Sequence, residues 1–361
     1  MTTHVTTETP EIPFVTHIGP DGPWAGTLPD ATPDAHSLIP LYRAMVRTRT
    51  FDARCVALHR TGRLGTYSSC LGQEAVGVGV ASAMLEDDVL VPSYRDQAAQ
   101  LTRGVTPVEL LLYWGGDERG SDFSGPKRDF PICITVGEHS VQTAGVALGM
   151  KIRKRPEVAV CMMGDGASSK GAFYEAINTA GALNLPMVMV LVNNGWAISV
   201  PRSTQTVAPT LAQKAVAAGI PGIQVDGNDV VAVTDVCSQA IERARVGGGP
   251  TLIEAVTYRL SDHTTVDDAR RYRDDEEVSA QWKREPIARI RTFLADQGVW
   301  TKADEEALRS ECSDEVDAAA EEYLAIGPQP TEAMFDFVWA ELPPDVERQR
   351  IQATLDWGKD V

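Results

Sequence analysis

The sequence predicts an α/β protein: a parallel sheet flanked by helices on both faces, with an extended N-terminal arm and a helical C-terminal region. Three observations carry the prediction. From residue 141 onward, apolar runs alternate with amphipathic segments, the chain order that parallel sheets require. The runs "EVAVCMM", "PMVMVLV", "GIQVDG" and "TLIEAVTYRL" are apolar almost throughout rather than alternating, as in strands covered on both faces. Between them lie helical patterns, including "SSKGAFYEAINTAGALN", which puts Phe173, Ala176, Ile177 and Ala180 on one face.

Taken in order, residues 1–35 are rich in Thr, Pro, Asp and Gly with little periodicity, and read as an arm that packs on the body or on a partner. Residues 36–60 place Leu41, Met45, Val46, Phe51 and Val56 at helical spacing. "LGQEAVGVGVASAMLEDD" reads as a second helix, and a third helical segment follows "VLVPSYRDQ". A Gly- and charge-rich loop spans 115–129, and the βα alternation then begins. Residues 261–279 form a long, densely charged loop whose charges have no evident core to join, so mobility is expected there and at 202–218. The division expected is an arm at 1–35, an α/β domain at 36–279 and a helical extension at 280–361. In the extension Thr301 and Asp304 resemble a capping box.

Composition excludes several classes. The chain has 361 residues, 43% hydrophobic, and a net charge of −17. Such a surface repels phosphate backbones, so no nucleic-acid partner is expected. The six cysteines form no CxxC pair, which fits reduced thiols in a cytoplasmic protein. The N-terminus lacks a basic start and an apolar core, so no signal peptide is read, and no apolar run is long enough to span a membrane. Gly77-Val-Gly79 begins a dinucleotide fingerprint, but no strand precedes it and no third glycine follows.

The chemistry lies in "GDGASSKGAFYEAINTAGALNLPMVMVLVNNGWAIS". Asp165 follows one strand and Asn194 the next, so one βαβ unit carries both to the same sheet edge, where ligands of parallel sheets sit. A carboxylate, an amide oxygen and one backbone carbonyl are three hard oxygen donors. They leave about three positions of a magnesium octahedron for phosphate oxygens and water. Gly164 and Gly166 let the backbone approach phosphates, and the following helix turns its N–H groups towards them.

GDG followed by NN is the signature that thiamine-diphosphate enzymes carry. "GQEA" at 72–75, "PSYRDQ" at 92–97, "VDGNDV" at 225–230, "GPTLIEAVTYR" at 249–259 and "DHTTVDD" at 262–268 extend the resemblance. Over residues 36–300 the chain resembles the alpha chain of the decarboxylating component of a 2-oxo-acid dehydrogenase complex. The resemblance implies a thiamine-diphosphate-binding fold, with Asp165, Asn194 and the carbonyl of Trp196 holding magnesium. It also implies that Tyr94 and Arg95 bind the diphosphate, a task that suits a planar guanidinium. Gly164, Gly166 and Ala167 border the cofactor, and Val136 offers a backbone group to its aminopyrimidine ring. His263, at the end of the last strand, lies near the diphosphate and the reactive carbon and helps pass the acyl group to lipoamide. A group titrating near neutrality suits that task. Thr264 stands where some relatives carry a regulatory phosphoserine.

Two departures are visible. Some relatives hold a potassium ion through Ser, Thr and Gln groups where this chain reads "CITVGEH", and an extra histidine of theirs has no counterpart. No glutamate matches the one that thiamine chemistry needs at the aminopyrimidine ring. In similar two-gene enzymes a beta chain supplies it. The resemblance therefore implies an α2β2 heterotetramer that delivers acyl groups to a lipoyl-bearing acyltransferase. "NNGWAIS", "IPGIQVDGNDV" and "YRLSDHTTVDDARRYR" are closest to branched-chain 2-oxo-acid enzymes, with pyruvate and acetoin as alternatives. A regulatory subunit without catalysis, or a nucleotide-dependent oxidoreductase, are the rival classes.

Overall fold

The computed structural model describes residues 11–19, 22–23 and 34–357. Much of the expected arm (1–10, 20–21 and 24–33) and the last residues, 358–361, lie outside these. The centre is a six-stranded parallel sheet. Its strands are β1 (Phe14–Val15), β2 (Val89–Val91), β3 (Ala159–Gly164), β4 (Met187–Asn193), β5 (Gly222–Asp226) and β6 (Thr251–Val256), in spatial order β1-β5-β6-β4-β3-β2. The last four are the four apolar runs. The first two were not expected, because two or three residues are too few for a periodic signal. β1 belongs to the arm and closes one sheet edge, with Phe14 opposite Gln224 and Val15 opposite Val225.

Successive side chains of the buried strands go to opposite faces. Val160, Met162, Val188, Val190 and Val192 meet the helices Glu74–Ser82 and Val230–Arg245 through Val76, Val80, Val233 and Val236. Ala159, Cys161, Met163, Met187, Met189 and Leu191 meet the helices His139–Ile152 and Gly171–Ala182 through Ala147, Met150, Phe173 and Ile177. An apolar run with no alternation is thus partitioned between two cores by the pleat. The C-terminal helices Pro286–Asp296 and Lys302–Ala325 pack on the first helix, Ile39–Arg60. Tyr42 and Met45 share a core with Ile290, Phe293 and Leu308. The capping box at Thr301 and Asp304 is present.

The charged loop differs from its expectation. A helix, Asp275–Trp282, starts inside it. Ala269 and Arg273 are buried, and Nη2 of Arg273 donates to the carbonyl of Ser261 at 3.1 Å. Asp267 accepts from the backbone N–H of His263 at 2.9 Å and from the hydroxyl of Tyr272. The charges join one another and the end of β6, so they need no separate core. All six cysteines are unpaired, and five are buried. Among the described residues no helix is long and apolar enough to cross a membrane.

Candidate functional site

Strands β3, β4 and β6 end level: Gly164 lies opposite Val192, and Val256 opposite Asn193. The residues just beyond them therefore meet at one edge, joined by the loop after β2. A cleft of about 160 Å³ opens there. Tyr94, Arg95, Val136, Gly164, Asp165, Gly166, Ala167, Asn194, Trp196 and His263 all line it. The candidate cofactor and metal residues are thus brought to one place, while Thr264 lines a separate hollow with Ser261, Asp262 and Thr265.

Asp165 is 2% exposed. Burial pushes its carboxyl above the ordinary range, and Gln205, whose Nε2 donates to Oδ2 at 3.1 Å, opposes that shift. Asn194, also buried, accepts the N–H of Trp196 on Oδ1 at 3.2 Å. The carbonyl of Trp196 receives Nη1 of Arg259 at 3.3 Å, which leaves it one further lone pair. Among the described residues no three His, Cys, Asp or Glu side chains cluster as a metal site. The donor set is instead one carboxylate, one amide and one carbonyl, hard oxygens that suit a cation completing its shell with phosphate and water.

Arg95 joins the other wall. Its Nη1 donates to the carbonyl of Ser69, and its Nη2 lies 3.1 Å from Nδ1 of His263 and 2.9 Å from that residue's carbonyl. The rings of Tyr94 and His263 meet edge to face, centroids 6.1 Å apart. Burial, then Arg95 and Arg259, push the His263 imidazole down to about 4. This corrects the expectation of a group titrating near neutrality: with two guanidinium groups nearby, the ring is neutral in the free protein.

The glycines divide their work differently from the expectation. A side chain on Gly164 would meet no protein atom within 4 Å, so the space beside it is left for a ligand. A Cβ on Gly166 would lie 2.7 Å from Cβ of Ala197, so Gly166 serves the close approach of two strand-tip loops. The segment after Asp165 is a 3-10 turn, Asp165–Ser169, and the α-helix starts only at Gly171. The N–H groups nearest the cleft therefore belong to that turn.

Sequence reading missed Gln73, Asp96, His139, Gln205 and Arg259. Gln73, Asp96 and His139 line the cleft. Gln73, Asp96, His139 and Arg259 sit inside "GQEA", "PSYRDQ", "CITVGEH" and "GPTLIEAVTYR", which was the available signal. Burial raises the Asp96 carboxyl to about 7, against a hydrogen bond from the N–H of Ser93. His139 is fully buried in the first turn of its helix, and its Nε2 lies 2.8 Å from the carbonyl of Met162. Arg259 is fully buried, and burial together with Arg95 and Arg273 lowers it to about 10.

The sequence pattern of the family described as "Dehydrogenase E1 component" matches residues 42–329. The chain belongs to that family. A similar protein is the 3-methyl-2-oxobutanoate dehydrogenase subunit alpha of Mycobacterium tuberculosis, 40% identical over 348 residues, covering 92% of this chain and 93% of the relative. The pyruvate dehydrogenase E1 component subunit alpha of Staphylococcus epidermidis is 40% identical over 324 residues, covering 89% of this chain and 87% of the relative. This E1 chain is thus an alpha subunit of a 2-oxo-acid dehydrogenase, of a family that uses thiamine diphosphate.

Proposed function

We propose that this alpha subunit binds thiamine diphosphate through magnesium and, with a beta subunit in an α2β2 heterotetramer, decarboxylates a branched-chain 2-oxo acid and passes the acyl group to lipoyl groups of an acyltransferase. The observation that carries the reading is the meeting of Asp165, Asn194 and Arg95 in one cleft at level strand tips. The fit to a diphosphate is supported by the open space beside Gly164 and by the guanidinium of Arg95 on the cleft wall, in a protein of net charge −17. Branched-chain specificity is supported by the motifs around Asn194 and His263. The pyruvate reading stands second, supported by the Staphylococcus relative at the same identity.

When bound, thiamine diphosphate supplies the electron sink that decarboxylation of a 2-oxo acid needs. Asp165, Oδ1 of Asn194 and the carbonyl of Trp196 would hold magnesium. Arg95 would anchor the phosphate end, its fork already oriented by the carbonyls of Ser69 and His263. His263, neutral and accepting on Nδ1, keeps its proton on Nε2. That places one donor at the cleft wall for a developing charge on the substrate or for the acyl acceptor.

The test is decarboxylation by the alpha chain co-expressed with its beta chain, with lipoyl acceptor, magnesium and thiamine diphosphate. Turnover is expected with 3-methyl-2-oxobutanoate in preference to pyruvate. Preference for pyruvate would overturn the substrate reading. Absence of cofactor binding by the pair would overturn the whole proposal.

A further inference from the structure

The amide of Asn194 has its orientation settled by the backbone. The N–H of Trp196 only donates, so the atom 3.2 Å from it is Oδ1. Nδ2 then lies on the other side, donating to Oε1 of Gln73 at 3.2 Å. Because Nδ2 cannot accept, Gln73 must present its oxygen there, and its own Nε2 is left over. That nitrogen is buried and has no partner among the described residues. The side chain is 5% exposed and lines the cleft. The two amides are therefore one unit, anchored at a single end by the N–H of Trp196.

The chain takes trouble to put Gln73 there. Gly72 has φ +90°, and a Cβ on it would lie 2.7 Å from the carbonyl oxygen of Tyr258 and 2.8 Å from Cγ of Leu260. Only glycine lets this turn lie against the chain leaving β6. Glu74, fully buried, pairs with Arg49 at 2.6 Å and accepts the N–H of Gly72 at 3.0 Å, which pins the turn from the other side. The hydroxyl of Thr257 donates to the Gly72 carbonyl at 2.9 Å. Three fixed contacts thus aim one neutral side chain at Asn194.

We propose that Gln73 is a positioning residue for the cation: it holds Nδ2 of Asn194 and so keeps Oδ1 turned to the metal. The proposal rests on the reading of Asn194 as a magnesium ligand. Without an acceptor at position 73 the amide of Asn194 is held only by the N–H of Trp196 at 3.2 Å, and its NH2 group is left buried without a partner, so the orientation that turns Oδ1 to a cation is less firmly kept. Groups that orient metal ligands typically change affinity by about 10–100-fold when removed.

The experiment uses the co-expressed alpha–beta complex and calorimetric titration of magnesium at saturating thiamine diphosphate, for wild type, Asn194→Ala, Gln73→Leu, Gln73→Met and Gln73→Glu. Thermal unfolding of each variant establishes that it is folded, and Gln73→Met, of nearly native length, replaces Gln73→Leu should the latter unfold. Gln73→Leu or Gln73→Met is expected to weaken magnesium binding by about tenfold or more. Gln73→Glu keeps an acceptor facing Nδ2 and is expected to restore most of that loss. Native magnesium affinity in Asn194→Ala would overturn the ligand reading itself. Loss in Asn194→Ala with native affinity in Gln73→Leu and Gln73→Met would overturn only the role of Gln73. Equal loss in Gln73→Leu and Gln73→Glu would also overturn it, since a shared acceptor then makes no difference.

Discussion

Nη2 of Arg95 stands 3.1 Å from Nδ1 of His263 and donates to that histidine's carbonyl oxygen at 2.9 Å. A guanidinium has no acceptor, so Nδ1 must accept and the ring proton sits on Nε2. The residue assigned to phosphate and the residue assigned to chemistry form one assembly, and each sets a property of the other.

His263 is predicted to titrate near pH 4 in the free protein, well below its ordinary 6.5. The unfolded chain takes the proton first, so this group's contribution to stability is complete above pH 6.5 and is lost as pH falls from 6.5 towards 4. Histidine-selective NMR, with a His263→Asn spectrum for assignment, measures the value. Binding of a diphosphate offsets the charge of Arg95 and should move the titration upward. No upward movement would place the phosphates away from Arg95.

Arg95→Ala is predicted to weaken diphosphate binding by about 10–100-fold, the loss expected for hydrogen bonds to a charged group. Arg95→Lys should recover little, because a point charge does not reproduce the fork that meets both Ser69 and His263. Calorimetry with thiamine diphosphate, and with thiamine as the phosphate-free control, checks this: thiamine binding should be unaffected by either change.

Asp165→Ala is predicted to abolish magnesium-dependent cofactor binding by the complex. Burial holds the Asp165 carboxyl above its ordinary range, so a proton competes with the cation. Magnesium should therefore bind more tightly as pH rises through that carboxyl's pKa, with proton release during binding. Calorimetry in buffers of different ionisation enthalpy detects the released protons. A pH-independent affinity would show that Asp165 is not the ligand.

Gly166→Ala should cost about 1–3 kcal/mol, the usual range for overpacking, because the added Cβ would sit 2.7 Å from Cβ of Ala197. The displaced loop carries Trp196, so magnesium affinity should fall with the melting temperature. Gly164→Ala should leave the melting temperature of the free protein nearly unchanged, since no protein atom lies within 4 Å, while cofactor affinity drops.

Asp267→Ala removes the acceptor for the N–H of His263 and for the hydroxyl of Tyr272. Proteolysis within 261–279 should become faster, and acyl transfer should fall more than cofactor binding. Unchanged cleavage rates would show that the loop is ordered by other contacts.

Much of this was legible in the sequence. The four long strands, the flanking helices and the shared edge of Asp165 and Asn194 follow from local pattern alone. A strand end fixes where the next side chain arrives, and a parallel sheet puts all such ends together. The capping box at Thr301 was legible for the same reason, since its partners are three residues apart. Strands β1 and β2 were not, because each exists only as a pairing to a sheet already built.

What the tertiary structure alone decided are contacts between distant segments. Gln73 and Asn194 are 121 residues apart, and Arg95 and His263 are 168 apart. No periodicity encodes such pairs, so the protonation of His263, the orientation of Asn194 and the ordering of the charged loop could not be read in advance. The sequence by itself determined which donor types reach the strand tips, because that depends on chain order. Their orientation and charge depend on neighbours folded in from elsewhere, and these only the packed molecule specifies.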